Sequence, residues 1–484
     1  MIHNTQTHSR GYMVITVLVF GAVFVTLMLG LSGFVLVQQR ATEKKEQGEQ
    51  ALQIAEAGLE YYRWYLSHFE NDVTDGTGES GPYEHTYSDP EGGVIGAFSL
   101  NITGNISCGE ITSIDIYSTG WVDEDPDNSR TVYGKYTRPS VAEYAYILND
   151  NVWAGGDRQI YGQYHANGGI RMDGTNHSMV TSALEEWTCT SGFDCVPSRT
   201  ESGVFGDGND TLWAFPVEPV DFTGISLDLA HMKDRAQHGG GLYFPKVSNW
   251  RNREGYQVIF RSNGTVDIYE VTSTGRVSSD PVGRATGNNY EEIRNRSFEG
   301  NYTIPADCGL LFFEDNVWIE GTVSGKVTVV SANVIETDVD PNVYIIDDIE
   351  YASPDGSHGL TLIGEHSTLI AYDVPYTLDL SGVFIAQKGS FGRNRYSGSY
   401  SERGTLTING SIVSNGRVGT KWDSSYCYWR PTWSWPFVKK VCVENWSGFG
   451  QRNNSYDRQL AADPPPFTPY MDDEYRFVQW RQEK

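Results

Sequence analysis

The 484-residue chain is short of basic residues: 36 lysines and arginines stand against 62 aspartates and glutamates, a formal net charge of −26. A nucleic-acid partner needs a clustered basic face, so none is expected. The charge suits a soluble, exposed protein held apart from its neighbours. Cysteine is scarce, with six in all and no CxxC pair, which excludes a zinc knuckle or a thioredoxin-like site. There is no GxSxG, HExxH or P-loop motif, so the commonest signatures of serine hydrolases, zinc proteases and nucleotide hydrolases are missing. No cofactor is expected. Charge is absent from one stretch altogether: between Arg10 and Arg40, Gly11–Gln39 carries no ionisable acid or base apart from Tyr12.

That run is too long for the apolar core of a secretory signal and ends in "VLVQQRATEKKE" without an A-x-A-like site. It is long enough to span a bilayer, which takes about 20 apolar residues. No turn follows it. "ATEKKEQGEQALQIAEAGLEYYRWYL" contains strong helix formers and no proline, and Ala51, Ala55, Gly58, Tyr62 and Leu66 share one face while Glu49, Glu56, Glu60 and Arg63 lie elsewhere. The pattern predicts one helix over about 12–68, roughly 80 Å long. Its first half is apolar all round and its second half amphipathic.

A two-part helix of this kind resembles that of type IV pilins. "HSRGYMVITVLV" is similar to their prepilin junction, with a short polar leader (1–11), a basic residue, and glycine before the helix. The resemblance implies cleavage by a prepilin peptidase between Gly11 and Tyr12, with methylation of the Tyr12 amine. "ALQIAEAGLEYYRW" resembles the Q-x-AEAGL segment of PilX-type minor pilins. Thr16 stands where most major pilins carry a glutamate that pairs with a neighbouring subunit's terminal amine, as in the minor subclass that includes the K-type pseudopilin capping the fibre. The partners so implied are other pilin subunits, the peptidase and the membrane. The localisation implied is a single-pass membrane protein that moves to a surface pilus with its ectodomain outside.

Beyond the helix the expected class is α+β: a small antiparallel sheet over 69–140 and then a large, mainly-β ectodomain. "NDVTDGTGESGPYEHTYSDPEGG" reads as a loop, followed by three alternating runs, "VIGAFSLNITGN", "EITSIDIYSTGWV" and "RTVYGKYTRP". From about 141 the chain changes. Asp-Asn-Val-Trp occurs at Asp150–Trp153 and again at Asp315–Trp318, and Gly162, Gly325, Gly382 and Gly410 each precede alternating apolar positions and then Ala, Ser, Asn or Gln. Glycine or asparagine at tight corners and inward aliphatic residues are what stacked coils require, so 141–450 is expected as a β-solenoid, with a β-sandwich as the alternative. An insertion is expected over about 185–305, including a short helix near "DLAHMKDRAQ" and a hairpin in "YQVIFRSNGTVDIYEV". Residues 451–484 read as a proline-rich linker and a tail ending in a short helix.

An even cysteine count behind a membrane segment points to disulfides in an oxidising compartment. Six cysteines allow 15 pairings. Proximity favours Cys189–Cys195 and Cys427–Cys442, leaving Cys108–Cys308. "YCYWRPTWSWPFVKKVCVENW" places Tyr428, Trp429, Trp433 and Trp435 between the second pair, an aromatic loop suited to a surface glycan or protein ligand or to a structural lid. Asp123, Asp125 and Asp127 have the spacing of the first calcium-loop ligands, but Asn128 stands where the loop glycine belongs and Gly134 where the bidentate acid belongs, so a polar hairpin turn is preferred. The His238–Gly241 run is similar to an esterase oxyanion loop but has no nucleophile to serve. Asp338, Asp340, Asp347 and Asp348 lie close in sequence without any two being singled out for acid–base work. Two function classes remain. One is a non-enzymatic minor pilin at the fibre tip, presenting its ectodomain for adhesion. The other is a membrane-anchored carbohydrate-active β-helix enzyme.

Overall fold

The computed structural model describes residues 10–483 except 70, 90–91, 223–227, 248–252, 281–286, 336–339, 432–437 and 473; the side chains of 10–11, 287–288, 424–431, 438–440 and 442–444 also lie outside the description. The chain forms two compact units. Met1–Thr103, Asp115–Lys135 and Gln479–Lys484 make the first, and Gly104–Ile114 with Tyr136–Val478 make the second.

The first unit is built on helix α1, Arg10–Leu66. Every residue from Tyr12 to Glu46 is exposed, whereas Ala51, Ile54, Ala55, Leu59, Tyr62, Tyr65 and Leu66 are buried. These fall at the helical spacing that lines up one face. Small residues let that face approach the sheet closely. A Cβ added at Gly58 would lie 2.3 Å from Ser118 Oγ and 2.8 Å from the Phe98 ring, and one at Gly120 2.4 Å from the Ala55 nitrogen. After the helix, the Asp72 carboxylate accepts from the Thr74 nitrogen and hydroxyl, the Gly76 nitrogen and Tyr65 OH (2.6 Å), which closes the loop against the helix end.

The sheet has five strands in the order Tyr83–Ser88, Val94–Ser107, Glu110–Val122, Asp125–Thr137, Arg476–Gln482. Its first strand lies inside the stretch read as a loop. Tyr83, His85 and Tyr87 alternate with the exposed Glu84, Thr86 and Ser88, but only Tyr83 of the six is buried, as befits a polar edge strand. The last strand corrects the expected C-terminal helix. The Arg476–Gln482 segment pairs beside Asp125–Thr137, and the Glu483 nitrogen donates to the Thr131 carbonyl. The fifth strand therefore returns after more than 300 residues of intervening chain.

The second unit is mostly β and dominated by parallel ladders. One ladder runs Leu242–Phe244, Leu310–Phe313, Lys326–Ser331, Gly359–Gly364, Leu378–Ala386, Glu402–Ser414, Tyr144–Leu148, Gln163–Ala166, Val180–Ser182, Trp213–Ala214. A second runs Gly255–Arg261, Asn316–Val323, Val343–Tyr351, Thr368–Ile370, Phe391–Gly392. Spatial order is thus not chain order, because the entering strand Tyr144–Leu148 packs beside Glu402–Ser414. Within 185–305, the strands Val204–Phe205, Trp213–Ala214, Leu242–Phe244 and Gly255–Arg261 pair in parallel with their neighbours, so this stretch is not one continuous interruption. The expected helix is present at Leu229–His238, with Asp228 capping its first turn by accepting from the His231 nitrogen.

The repeats have a physical role. Asn415, Asn149 and Asn167 form a side-chain amide ladder across three successive rungs, at 2.7 and 2.9 Å. Gly382 and Gly410 are in register at positive φ, and a Cβ on Gly410 would meet the Gly382 carbonyl oxygen at 1.8 Å. In both Asp-Asn-Val-Trp copies the aspartate accepts from the next residue's nitrogen and the valine is fully buried. In both, the asparagine oxygen accepts a backbone N–H from another strand or turn (Gly169, Asn342). The first ladder is buried on both faces. One face packs Leu311, Val329, Leu362, Phe384, Ile412 and Tyr164, and the other packs Phe312, Val330, Ile363, Ile385, Val413 and Ile147 under Met232 and Leu460. The segment expected as a linker is part of this cover. Helix Arg458–Ala462 leads into prolines whose carbonyls are used, Thr328 donates to the Pro466 carbonyl, and Thr361 and Thr468 hydroxyls meet at 2.6 Å.

Candidate functional site

Two places carry the sequence-derived expectations. The first is the outer half of α1. The helix Tyr12–Leu66 to which it belongs is long and apolar enough to cross a membrane. Tyr12 is 83% exposed, and the Thr16 hydroxyl donates to the Tyr12 carbonyl at 2.9 Å, so it is spent within its own helix. Leucine, valine and phenylalanine on every side leave the segment without a polar face. Only lipid or other apolar helices can cover such a surface at no desolvation cost. The surroundings of Gly11 lie outside the description.

The second is the ribbon of Lys421–Pro431 and Val438–Ser455, paired in continuous register from Lys421↔Gly448 to Pro431↔Val438. Cys427 stands directly opposite Cys442 in that register; their sulfurs, and the side chains of Tyr428 and Trp429, lie outside the described residues. Trp433 and Trp435 fall wholly outside them. The base of the ribbon is described. Trp422 Nε1 donates to the Arg393 carbonyl at 2.8 Å, and Lys421 lies 5.7 Å from the Trp446 ring. The other four cysteines form disulfides, Cys108–Cys308 and Cys189–Cys195.

The remaining candidates do not converge. Asp123 opens the turn between Glu110–Val122 and Asp125–Thr137, while Asp125 and Asp127 lie along the second of those strands; among the described residues no three acids, histidines or cysteines are grouped to hold a metal. His238 and Gly239 end the helix Leu229–His238, with the Gly239 nitrogen donating to the Arg235 carbonyl. Asp340 is paired with Lys388 at 2.7 Å, and Asp348 accepts from the Asp379 nitrogen; Asp338 is outside the described residues.

Sequence reasoning did not single out a buried acid within a second ribbon, Thr265–Asp280 with Gly287–Thr303. Burial pushes the Glu291 carboxyl up to about 7, against the opposing pull of the Tyr396 hydroxyl and Arg393. Its backbone carbonyl accepts from the buried Trp318 indole at 2.6 Å, and its carboxylate from Tyr396 OH at 2.8 Å. Arg393, itself fully buried, donates to the carbonyls of Ala371, Tyr372 and Tyr400 and so ties two loops to one cation. No sequence motif joins these positions; Glu291 and Tyr396 alone lie 105 residues apart.

No protein-family model and no curated protein matches the chain. Among solved structures, the competence-associated pilin ComZ from Thermus thermophilus aligns with 90% of this chain and 97% of its own, at 11% sequence identity and a TM-score of 0.31. At that similarity the function has to be argued from this chain's own residues.

Proposed function

We propose that this chain is a minor type IV pilin-like structural protein whose N-terminal helix enters a fibre while its second unit is carried outside as a β-solenoid for adhesion or surface binding. One observation carries the reading: a single uninterrupted helix is exposed and apolar over Tyr12–Glu46 and packed against its own sheet from Ala51 onward. A plain membrane anchor has no need to continue, without a break, into the core of a folded unit. The parallel ladders, the asparagine ladder and the in-register corner glycines support coils of a solenoid. Thr16, spent on its own helix, offers no carboxylate to a neighbouring subunit's amine, which favours a place at the end of the fibre. The reading assigns the chain no catalytic step. Its partners are other pilin subunits, a prepilin peptidase, the membrane before assembly, and a ligand on a surface.

The test is the mature N-terminus of the native protein, read by mass spectrometry. A chain beginning at a methylated Tyr12 is the expected result. An intact Met1 in assembled material overturns the proposal.

A further inference from the structure

The second unit holds a cavity that no motif marks. Its volume is about 390 Å³, within the roughly 300–1,000 Å³ of small-molecule sites. Its walls come from five separated stretches of chain, the last of them Val478 in the strand Arg476–Gln482. Glu143 ends the turn Val141–Glu143; Gln163 and Ser178 come from neighbouring rungs; Tyr456 and Arg458 come from the run into the helix Arg458–Ala462.

The polar groups there are not consumed by one another. Arg458 Nε donates to Tyr456 OH at 3.2 Å, which leaves the phenol hydrogen and the terminal guanidinium nitrogens free to donate. Among the described residues neither Glu143 nor Arg458 takes part in an ion pair within 4 Å. Burial pushes the Glu143 carboxyl up, with Arg476 opposing at longer range. A half-buried carboxylate without a partner is costly unless a ligand or water supplies donors.

A flat aromatic surface stands one residue before two of the lining positions in the chain. The rings of Tyr161 and His177 stack at 4.2 Å and 4°, Tyr161 is 49% exposed, and His177 is fixed by Gln159 at 3.2 Å. Each ring immediately precedes a lining residue, Gly162 and Ser178. Those two are joined by a hydrogen bond from the Gly162 nitrogen to Ser178 Oγ at 3.0 Å, and the Tyr456 nitrogen donates to the Tyr161 carbonyl. Gly162 has φ +124°, and a Cβ there would lie 2.9 Å from the Tyr456 ring.

The walls discriminate among ligand classes. A phosphate or carboxylate meets Glu143, an ammonium meets Arg458, and an apolar group leaves both desolvated and unpaired. A ligand whose every polar group both donates and accepts satisfies both at once, and a ring with an apolar face can lie on Tyr161. We propose that this cavity is a subsite for a neutral hexopyranose of a glycan chain, with hydroxyls directed to Glu143, Gln163 and Arg458 and the sugar ring stacked on Tyr161. The proposal deepens the surface-binding part of the reading above by naming its ligand class; it does not depend on fibre assembly.

The experiment is calorimetric titration of the full chain in detergent micelles with maltotriose, cellotriose and chitotriose, with trilysine as a cationic comparison. At least one sugar is expected to bind, with Kd rising about tenfold or more in both Tyr161→Ala and Arg458→Ala. Tyr376→Ala, an exposed tyrosine elsewhere, is expected to leave Kd unchanged. All three substitutions are at exposed positions, and unchanged circular dichroism and melting exclude misfolding. Soluble starch and high-mannose ribonuclease B then separate a polysaccharide source from a glycoprotein source, either of which supports the proposal. Heat from trilysine alone, from none of the sugars, or sugar binding indifferent to both substitutions overturns it. The mature N-terminus is read on the same preparation, so a failure here is distinguishable from a failure of the pilin reading.

Discussion

The two halves of α1 are one continuous element with opposite fates, and their glycines make the contrast plain. Gly21, Gly30 and Gly33 face nothing within 4 Å, while Gly58 faces Ser118 and Phe98 at distances no side chain could share. Within a helix each glycine costs about 1 kcal/mol relative to alanine. At Gly58 the cost is offset inside the chain by the close approach of helix and sheet. At Gly21, Gly30 and Gly33 nothing within the chain offsets it. The inner half is thus covered by its own chain, and the outer half is not.

The largest effect expected from breaking this comparison is all-or-none. Gly11→Leu should abolish leader removal, so that the outer half never leaves the membrane; mass spectrometry of the N-terminus reads the outcome, and normal processing would overturn the leader assignment. Next comes placement. Immunogold labelling should find few copies per fibre, at the end, and Trp433→Ala with Trp435→Ala should abolish surface attachment while fibres still form. Labelling spread along the shaft would sink the tip position, and attachment unchanged in the double variant would leave the aromatic ribbon a structural lid.

The glycine contrast itself is tested by stability. Gly58→Leu should lose about 3 kcal/mol or more, because backbone and ring stand in the way, whereas Gly30→Leu should leave the isolated chain as stable or up to about 1 kcal/mol more so. Equal destabilisation in thermal melts of the micellar chain would erase the distinction between the halves.

The smallest effect concerns packing in the second unit. Burial holds the Glu291 carboxyl at about 7 in the folded state, above its ordinary value of 4.5. The folded state thus binds its proton more tightly. That contribution is full below pH 4.5 and is lost as pH rises through 7, at most about 3 kcal/mol in all. Glu291→Gln should flatten this part of the pH–stability curve; an unchanged slope in denaturant titrations between pH 5 and 8 would show that another group is responsible.

What could be read from the chain was whatever has a short period. The helix and its two faces followed from uncharged residues and 3.6-residue spacing. The two Asp-Asn-Val-Trp copies and the corner asparagines were visible because each rung repeats the same local problem of turning a corner with its backbone satisfied. Strand Tyr83–Ser88 was hidden because its short alternation of Tyr83, His85 and Tyr87 carries no aliphatic residue and sits between turn-rich flanks. Strand Arg476–Gln482 was hidden because its partner lies more than 300 residues away and its own residues are mostly exposed. The cavity was hidden for the same reason, since Glu143 and Arg458 share walls only because the chain re-enters its own stack.

The division of the chain into units has a mechanical consequence. The polypeptide passes from one unit to the other after Thr103, Ile114, Lys135 and Val478, and a disulfide from Cys108 to Cys308 fastens the first of these excursions within the second unit. A domain hung on one linker bears any pull on a single strand of backbone and is released by a single cut. Here the chain crosses four times, so a single cut leaves the second unit covalently attached.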